Sequence, residues 1–266
     1  MPPIDPIDAA AVRRRVDAAT WPDLVIHRSV GSTNAELLEL ARAGARPGAV
    51  VATADQTAGR GRRTRVWTTP PGVSLALSML LRPSVPLDHW SWIPLLAGVV
   101  IRRAITEVTD LQPTLKWPND VLIGESKVCG ILAEQVTAPD GLAVVLGCGI
   151  NVSMDVDELP VPTATSLHLH GAEVSMTDLL VSVLDVAATE LDAWQQNPGS
   201  VAEAYAAACS TVGRRVRIQV RPDTEIDEPD AFVTGDAIGV DASGCLRVDV
   251  DGSVRTFSVG DVVHVR

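Results

Sequence analysis

The chain has 266 residues, 46% hydrophobic and 21% charged, with a formal net charge of -11 at pH 7, which indicates a globular protein with one large domain or one large and one small domain. No run of 18 apolar residues and no secretory signal is present, which predicts a cytoplasmic protein without a membrane span. The excess of acidic residues argues against a general nucleic-acid-binding surface, and the scattered cysteines argue against a disulfide framework or a structural zinc site.

The first part of the chain mixes predicted helices and strands. Helices are predicted over 8–19 and 89–108 (with Pro94 near the start of the second), and strands over 24–30, 49–55 and 74–81. A further helix is predicted to begin at Thr33, because the spacing from Thr33 to Glu36 is that of a capping box. Such a helix start presents unpaired N–H groups beside the sheet, where a polar ligand can bind.

The second part of the chain predicts an antiparallel meander followed by helices and then a small β domain. The meander strands are predicted at 115–117, 120–124, 127–136 and 142–152, and the helices at 177–196 and 201–209, the second with a capping box from Ser200 to Glu203. Beyond Gly213 only short strands follow, which is typical of a five-stranded barrel. We therefore predict a large domain over 1–212 and a small one over 213–266, with a solvated acidic loop over 223–230.

An arginine-rich segment, GRGRRTRVW at 59–67, joins the predicted strands 49–55 and 74–81 and places four arginines within six residues. Guanidiniums this dense repel one another, so the segment either binds a polyanion or is a solvated surface loop. Gly59 and Gly61 are expected to allow positive φ and close backbone approach to a ligand. The segment lacks the third glycine of a dinucleotide fingerprint and no Walker sequence occurs, so a phosphate would be held by arginines and loop backbone.

A second polar segment reads KWPND at 116–120 and is followed by Lys127. It supplies a cation, a neutral hydrogen-bonding group and a carboxylate that can bind a metal, and Lys127 can face the same ligand across the next hairpin. The alternative is an ordinary β-turn, for which P-N-D is favourable.

Taken together, GRGRR-x-R-x-W, KWPND and K-x-x-G-I-L, in this order and spacing, resemble the biotin protein ligases, which attach biotin to carboxylase carrier domains. The resemblance covers nearly the whole chain and extends to GSTN at 31–34, Gln56, GCGIN at 147–151, ATSL at 164–167 and the C-terminal β domain. It implies an α+β fold: a mixed, largely antiparallel sheet with helices packed on it, like the class II aminoacyl-tRNA synthetase catalytic domain, plus a small C-terminal SH3-like β-barrel.

Two features of the chain bear on how far the resemblance extends. The family often has a glycine where this chain has Thr64, and positive φ would be strained at a β-branched residue. Only about two dozen residues precede the first predicted core strand, so we expect the form without an N-terminal DNA-binding domain and without specific operator binding.

The resemblance implies two half-reactions, with ATP and biotin as substrates and Mg²⁺ on the phosphates. The biotin carboxylate attacks the α-phosphate of ATP to give biotinyl-5'-AMP and pyrophosphate, and a lysine of a biotin carboxyl carrier domain then attacks that anhydride. It assigns the catalytic role to Lys127 and Arg62. Biotin binding is assigned to Ser32, Thr33, Asn34, Gln56, Gly59, Arg60, Arg62, Lys127, Gly130 and Gly147. Binding of ATP and the adenylate is assigned to Arg63, Arg65, Trp67, Lys116, Asn119, Asp120, Asn151 and Arg266, with Asp120 also near Mg²⁺.

Two other functions stay open at this point. Lipoate or octanoyl ligases share the fold and the adenylate chemistry, although the arginine loop favours biotin. A non-enzymatic protein could use the same loop to recruit an anionic partner, although such a docking surface would not require Lys127, Asn119 and Asp120. We expect a monomer or weak dimer that contacts no membrane.

Overall fold

A computed structural model of the chain describes residues 7–63, 65–219, 231–258 and 260–265. These residues form a larger sheet with helices packed on it and a smaller sheet near the C-terminus, so the predicted α+β fold is confirmed. Thr64, Arg266 and the predicted acidic loop over 223–230 lie outside the described residues.

The larger sheet has seven strands: β1 (Leu24–His27), β2 (Val50–Thr53), β3 (Ser74–Leu81), β4 (Thr114–Lys116), β5 (Asp120–Ile123), β6 (Ser126–Ala138) and β7 (Gly141–Asn151). Their order across the sheet is β1-β2-β3-β7-β6-β5-β4. Strands β1 and β2 pair in parallel, and the other neighbouring pairs are antiparallel. The predicted meander is therefore confirmed as β4 to β7.

Five α-helices occur in the described residues: α1 (Ala9–Arg15), α2 (Thr33–Arg42), α3 (Ile93–Val108), α4 (Met176–Gln196) and α5 (Ser200–Ala208). The prediction of one helix over 89–108 was partly wrong, because a 3-10 helix over Leu87–Trp92 precedes α3 and Pro94 lies in the first turn of α3. A proline is tolerated there because the first-turn N–H groups have no partner inside the helix.

Both predicted capping boxes were wrong in detail. The N-cap of α2 is Ser32, whose side chain accepts a hydrogen bond from the N–H of Ala35. Thr33 is instead the first helical residue, and its N–H donates to Gln56. In α5, Ser200 is also the first helical residue and the N-cap is Gly199, which has no side chain to cap the helix.

The two faces of the larger sheet are covered by different helices. Val51, Leu80 and Val145 are buried on the face against α2, whereas their neighbours in sequence contribute to the main core on the opposite face, which α3 and α4 cover. This division follows from the alternation of side chains along a strand. The face that carries α2 is the one on which the candidate site forms.

The smaller sheet contains β8 (Arg215–Gln219), β9 (Phe232–Val240), β10 (Leu246–Val250), β11 (Ser253–Phe257) and β12 (Asp261–His264) in the order β11-β10-β9-β8-β12. Five short strands agree with the expected SH3-like β domain. The loop before β10 is held against the larger domain, because the indole N–H groups of Trp92 and Trp117 donate to the carbonyls of Ala242 and Gly244 at 2.7 and 3.0 Å. The boundary between residues 212 and 213 stays a prediction.

Within the described residues, no helix combines the length and the apolar character that crossing a bilayer requires.

Candidate active site

A cavity of about 650 Å³ opens on the α2 face of the larger sheet, next to the first turn of α2. Its floor is formed where β7 continues beyond Val145 with Gly147 and Gly149, the second of which pairs with Gly130 of β6. Side chains this small leave the sheet uncovered where larger ones would have packed against a helix. The volume lies within the range of ordinary small-molecule sites.

The start of α2 forms one end of the cavity and is fixed by Gln56. The Gln56 carboxamide oxygen accepts from the backbone N–H of Thr33 at 2.8 Å and lies 3.2 Å from the Thr33 hydroxyl. Ser78 of β3 lies behind them, with its Oγ 2.8 Å from Thr33 Oγ1. The helix start is therefore a preorganised polar surface rather than a set of mobile side chains.

Asn34 extends this polar surface onto the floor of the cavity. Its carboxamide nitrogen donates to Glu134 at 2.9 Å, and its carbonyl oxygen accepts from the Ser78 hydroxyl at 2.6 Å. The absence of a side chain at Gly147 makes room for this carboxamide, because a Cβ there would lie 2.0 Å from Asn34 Oδ1. The space beside Gly147 is thus filled by Asn34.

The arginine segment forms a small hairpin over the cavity. Arg60 bridges Val66, and the N–H of Trp67 donates to the carbonyl of Gly59 at 3.0 Å. A Cβ at Gly59 would lie 2.3 Å from the Trp67 carbonyl oxygen, so this glycine allows the two arms of the hairpin to approach. The expectation of positive φ at Gly59 and Gly61 was wrong: within the described part of the hairpin, positive φ occurs at Arg63 (51°).

Acidic and polar side chains of this chain contact each arginine of the hairpin. Arg60 pairs with Glu134 at 2.8 Å, and Arg62 donates to the side-chain carboxamide oxygen of Asn119 at 2.8 Å. Arg63 and Arg65 both pair with Asp261 of β12, the first at 3.4 Å. Mutual repulsion of the four guanidiniums is therefore offset by neighbouring acceptors inside the fold.

Burial lowers the pKa of the Arg62 guanidinium from its ordinary value, and the carboxylates of Asp261 and Asp120 oppose that effect. An arginine retains its charge at neutral pH under such a shift, because its ordinary pKa lies far above 7. Arg62 is therefore a partly desolvated cation whose interaction with a bound anion is little screened by water.

The KWPND segment also lines the cavity and contacts the hairpin through Asn119 and Arg62. The Lys127 ammonium pairs with Asp120 at 2.5 Å. Asn119, besides accepting from Arg62, donates to the carbonyl of Ile131 at 2.8 Å. This turn therefore contacts both Lys127 and Arg62, the two residues to which the resemblance assigns a catalytic role.

Trp67 lies across the glycines of the sheet. Cβ atoms at Gly130 and Gly149 would lie 2.8 and 2.7 Å from its indole, so both glycines are required for the ring to lie this close to the strands. The Lys127 ammonium lies 5.5 Å from the centre of a Trp67 ring, within the range of a cation–π contact. The ring thus forms an apolar wall beside the cationic part of the cavity.

The scarcity of lysine in the sequence is a further signal for this site. Of its 22 basic residues other than histidine, only Lys116 and Lys127 are lysines, and both line the cavity. Burial lowers the pKa of the Lys116 ammonium, an effect that Asp120 opposes and Lys127 reinforces. The two compact ammonium charges in the chain are therefore placed together in one site.

Asn151, at the end of β7, presents an unsatisfied acceptor. Its nitrogen donates to the carbonyl of Thr165 at 2.9 Å, and the residue is 2% exposed. Among the described residues, Asn151 Oδ1 has no hydrogen-bond partner. A buried acceptor without a partner costs free energy unless a ligand or water satisfies it, and Asn151 lines the cavity.

Fifteen of the predicted site residues line this one cavity: Ser32, Thr33, Asn34, Gln56, Arg60, Arg62, Arg65, Trp67, Lys116, Asn119, Asp120, Lys127, Gly130, Gly147 and Asn151. Gly59 and Arg63 are not among the lining residues, because Gly59 packs within the hairpin and Arg63 pairs with Asp261. Arg266 lies outside the described residues. The roles assigned to all of these residues stay predictions.

Several lining residues were not predicted. They include Gly149, Leu132, Val161, Thr163 and Asp261. Gly149 lies within the GCGIN segment and Thr163 lies next to the ATSL segment, both of which carry the resemblance. No local sequence pattern indicates Asp261, because it belongs to the smaller sheet. In the described ranges no group of three or more His, Cys, Asp or Glu side chains could hold a metal ion.

Comparison with known proteins identifies the family. The model of the biotin/lipoate A/B protein ligase family matches residues 27–151. The biotin--[acetyl-CoA-carboxylase] ligase of Mycobacterium tuberculosis is 36% identical over 272 residues, which cover 98% of this chain and 97% of that protein. The bifunctional ligase/repressor BirA of Escherichia coli is 26% identical over 98% of this chain and 78% of that protein.

A solved structure of the biotin protein ligase from Aquifex aeolicus, in complex with biotin and ATP, superimposes with a TM-score of 0.74 at 26% identity and covers 92% of this chain and 99% of that one. The fold, the cavity and the near full-length similarity agree with one another. This chain belongs to the biotin protein ligase family, enzymes that use ATP to attach biotin to a carboxylase carrier protein.

Proposed function

We propose that the cavity binds biotin at its α2 end and ATP at its KWPND end, and that Lys127 and Arg62 act where the two substrates meet. The observation that carries this proposal is the placement of both cations in one cavity, held by adjacent residues of the same turn, Asp120 and Asn119. The first product would be biotinyl-5'-AMP.

The first half-reaction brings two anions together, which explains the need for cations. Attack of the biotin carboxylate on the α-phosphate is opposed by their mutual repulsion, and negative charge develops on the phosphate oxygens in the transition state. Preorganised cations in a site shielded from water stabilise that charge most effectively. A charge-assisted hydrogen bond contributes about 1.5 to 3 kcal/mol, so each of Lys127 and Arg62 would accelerate the step by roughly one to two orders of magnitude.

The biotin end is formed by the helix start and the neighbouring strands. Ser32, Thr33 and Gln56 offer hydroxyl and carboxamide groups suited to the ureido ring, and Gln56 is already fixed by Thr33. Asn34 would contact the ligand beside Gly147, and Arg60 would cover it from the hairpin, held there by Glu134. Gly59 and Gly130 would permit the hairpin and the ring of Trp67 to close on the ligand.

The adenylate end is supported by Asn151 and Trp67. The unpartnered Oδ1 of Asn151 matches a donor such as the exocyclic amino group of adenine, and the Trp67 ring offers an apolar face. Lys116 and Arg65 would bind phosphate oxygens, together with Arg63 once it leaves Asp261. We propose the same for Arg266 on the strength of the resemblance alone.

Magnesium fits this site as an ion held mainly by the nucleotide. Asp120 supplies one carboxylate, and Mg²⁺ commonly binds through one or two carboxylates together with substrate phosphates and water. When bound, the ion would neutralise charge on the phosphates. The residues of the chain would meanwhile position the carboxylate and the phosphate for reaction.

The second half-reaction requires an acceptor lysine to reach the anhydride. We propose that the acceptor is a biotin carboxyl carrier domain of a biotin-dependent carboxylase and that the enzyme works in the cytoplasm as a monomer or weak dimer. We expect no specific DNA binding, because the net charge of -11 repels a polyanion over most of the surface. A gel-shift with biotin-operon DNA at physiological salt would show no specific complex.

Pyrophosphate release tests the proposal. The protein is incubated with MgATP and, separately, with biotin, lipoate and octanoate. We expect pyrophosphate with biotin and none above background with the other two acids. Release with lipoate or octanoate in place of biotin would reassign the substrate, and no release with any acid would overturn the enzymatic proposal.

A further inference from the structure

Asp261 connects the small β domain to the arginine hairpin. It is the first residue of β12, lies at the cavity wall and pairs with both Arg63 and Arg65. Its side chain is 20% exposed, whereas that of Arg65 is 63% exposed. A single carboxylate thus contacts the two arginines to which the proposed function assigns phosphate oxygens.

The backbone around Asp261 is fixed. Asp261 pairs in register with Gln219 of β8, and the neighbouring Gly260 lies so close to Ile218 that a Cβ there would be 2.6 Å from its Cγ2 atom. The carboxylate therefore cannot follow the arginines far if the hairpin moves toward a nucleotide. Long arginine side chains on a short hairpin, by contrast, can turn from one oxygen ligand to another.

Carboxylates and phosphates are alternative partners for a guanidinium, because both present paired oxygens that match its planar set of donors. We propose, on the basis of the function proposed above, that Asp261 is an internal competitor for the nucleotide phosphates. It holds Arg63 and Arg65 before ATP binds, and the triphosphate takes these arginines from it. The small β domain thereby sets the affinity of the site for ATP.

Competition by Asp261 should weaken the binding of ATP to the wild-type protein. Binding ATP to the wild-type protein must break the ion pairs of Asp261, and that loss reduces the observed affinity. The Asp261→Asn variant removes the charge while keeping the shape of the side chain, so ATP should bind more tightly, with a Kd lower by about tenfold if one charge-assisted bond is no longer lost. Biotin affinity should change less than ATP affinity, because Arg60 and Arg62 contact Glu134 and Asn119, and Asp261 acts on Arg62 only through the charge of its carboxylate.

Calorimetric titration of the full chain with α,β-methylene-ATP and Mg²⁺, without biotin, tests this inference. Asp261→Glu, which keeps the charge, should bind the analogue as the wild type does. Asp236→Asn is the matched control, since it removes a carboxylate of the same domain that pairs with Arg215 at 3.6 Å away from the cavity. Asp261→Asn should also bind inorganic tripolyphosphate more tightly than the wild type does. This result would show that the gain in affinity comes from the phosphates of the nucleotide.

Unchanged or weaker binding of the analogue by a folded Asp261→Asn protein would overturn the inference, as would an equal gain in Asp236→Asn. If Asp261→Asn does not fold, Asp261→Ser provides the second test, because it also removes the carboxylate that pairs with Arg63 and Arg65. A folded Asp261→Ser protein should bind the analogue more tightly than the wild type, and unchanged or weaker binding would overturn the inference. Biotin-dependent pyrophosphate release by the wild type, measured on the same preparation, reports separately on the proposed function.

Discussion

The carboxamide of Asn34 fills the space that a side chain at position 147 would need, since a Cβ on Gly147 would lie 2.0 Å from Asn34 Oδ1. Asn34 cannot move away without losing its contacts with Ser78 and Glu134. The first turn of α2 and the floor of the cavity are therefore fixed to each other at this glycine.

Gly147→Ala should weaken biotin binding. The added methyl group displaces Asn34 from the biotin end, and we expect the Kd for biotin to rise at least tenfold, while binding of ATP changes little. Calorimetric titration with each ligand measures both. Gly199→Ala is the control, because its Cβ would contact only Asn197 at 3.4 Å, away from the cavity. Unaltered biotin affinity in a folded Gly147→Ala protein would show that Asn34 does not position the ligand.

Arg62→Ala should slow formation of the adenylate by roughly one to two orders of magnitude, because a desolvated cation beside the reacting anions is lost. Arg62→Lys should restore only part of the rate, since an ammonium cannot form two parallel bonds to oxygen. Single-turnover pyrophosphate release measures the step. Arg46→Ala, which removes an exposed partner of Asp23, should react at the wild-type rate. Equal rates for Arg62→Ala and Arg46→Ala would remove Arg62 from the mechanism.

Asn151→Ala should raise the KM for ATP about tenfold and leave that for biotin unchanged, because the buried acceptor proposed to bind the adenine amino group is gone. Steady-state kinetics with each substrate varied gives both constants. The control, Asn197→Ala at the C-terminus of α4, should not alter either constant. A rise in the KM for biotin alone would place Asn151 at the other end of the cavity.

His264 makes the folded protein sensitive to acid. Burial lowers its pKa to about 4, with help from Lys116 and Arg214. Arg214 can only donate, so the ring nitrogen Nδ1, 3.3 Å away, accepts, and Nε2–H donates to the Thr211 hydroxyl. The folded state thus holds a neutral imidazole, whereas the unfolded chain binds a proton below about pH 6.5.

The sign of the effect on stability follows from proton binding. Between pH 6.5 and 4 the unfolded state binds more protons, so the contribution of His264 is fully present above pH 6.5 and is lost as the pH falls toward 4. Because part of the ring reaches solvent, we expect the free energy of unfolding to fall, between pH 7 and pH 4.5, by on the order of 1 kcal/mol more in the wild type than in His264→Gln. Urea unfolding at pH 7 and pH 4.5 measures it, and parallel pH dependence of the two proteins would contradict the assignment.

Local patterns in the sequence predicted the strands and most helices because their periodicities are strong; Ser74–Leu81, for example, has the predicted bounds. The capping residues were misplaced by one position, since Ser32 and Thr33 both suit an N-cap and only the contact with Gln56 distinguishes them. Most of the predicted site residues were brought into one cavity. Asp261 could not be predicted, because its contact with Arg65 joins positions 196 residues apart in different sheets.

We propose that this chain transfers activated biotin to a protein lysine and that Lys127 is needed for the reaction. Mass spectrometry of a biotin carboxyl carrier domain, after incubation with the protein, biotin and MgATP, tests this proposal most directly. We expect one added biotin on one lysine with the wild type, and almost none with Lys127→Ala at the same enzyme concentration. An unmodified carrier domain with the wild-type protein, or full modification by Lys127→Ala, would contradict the account.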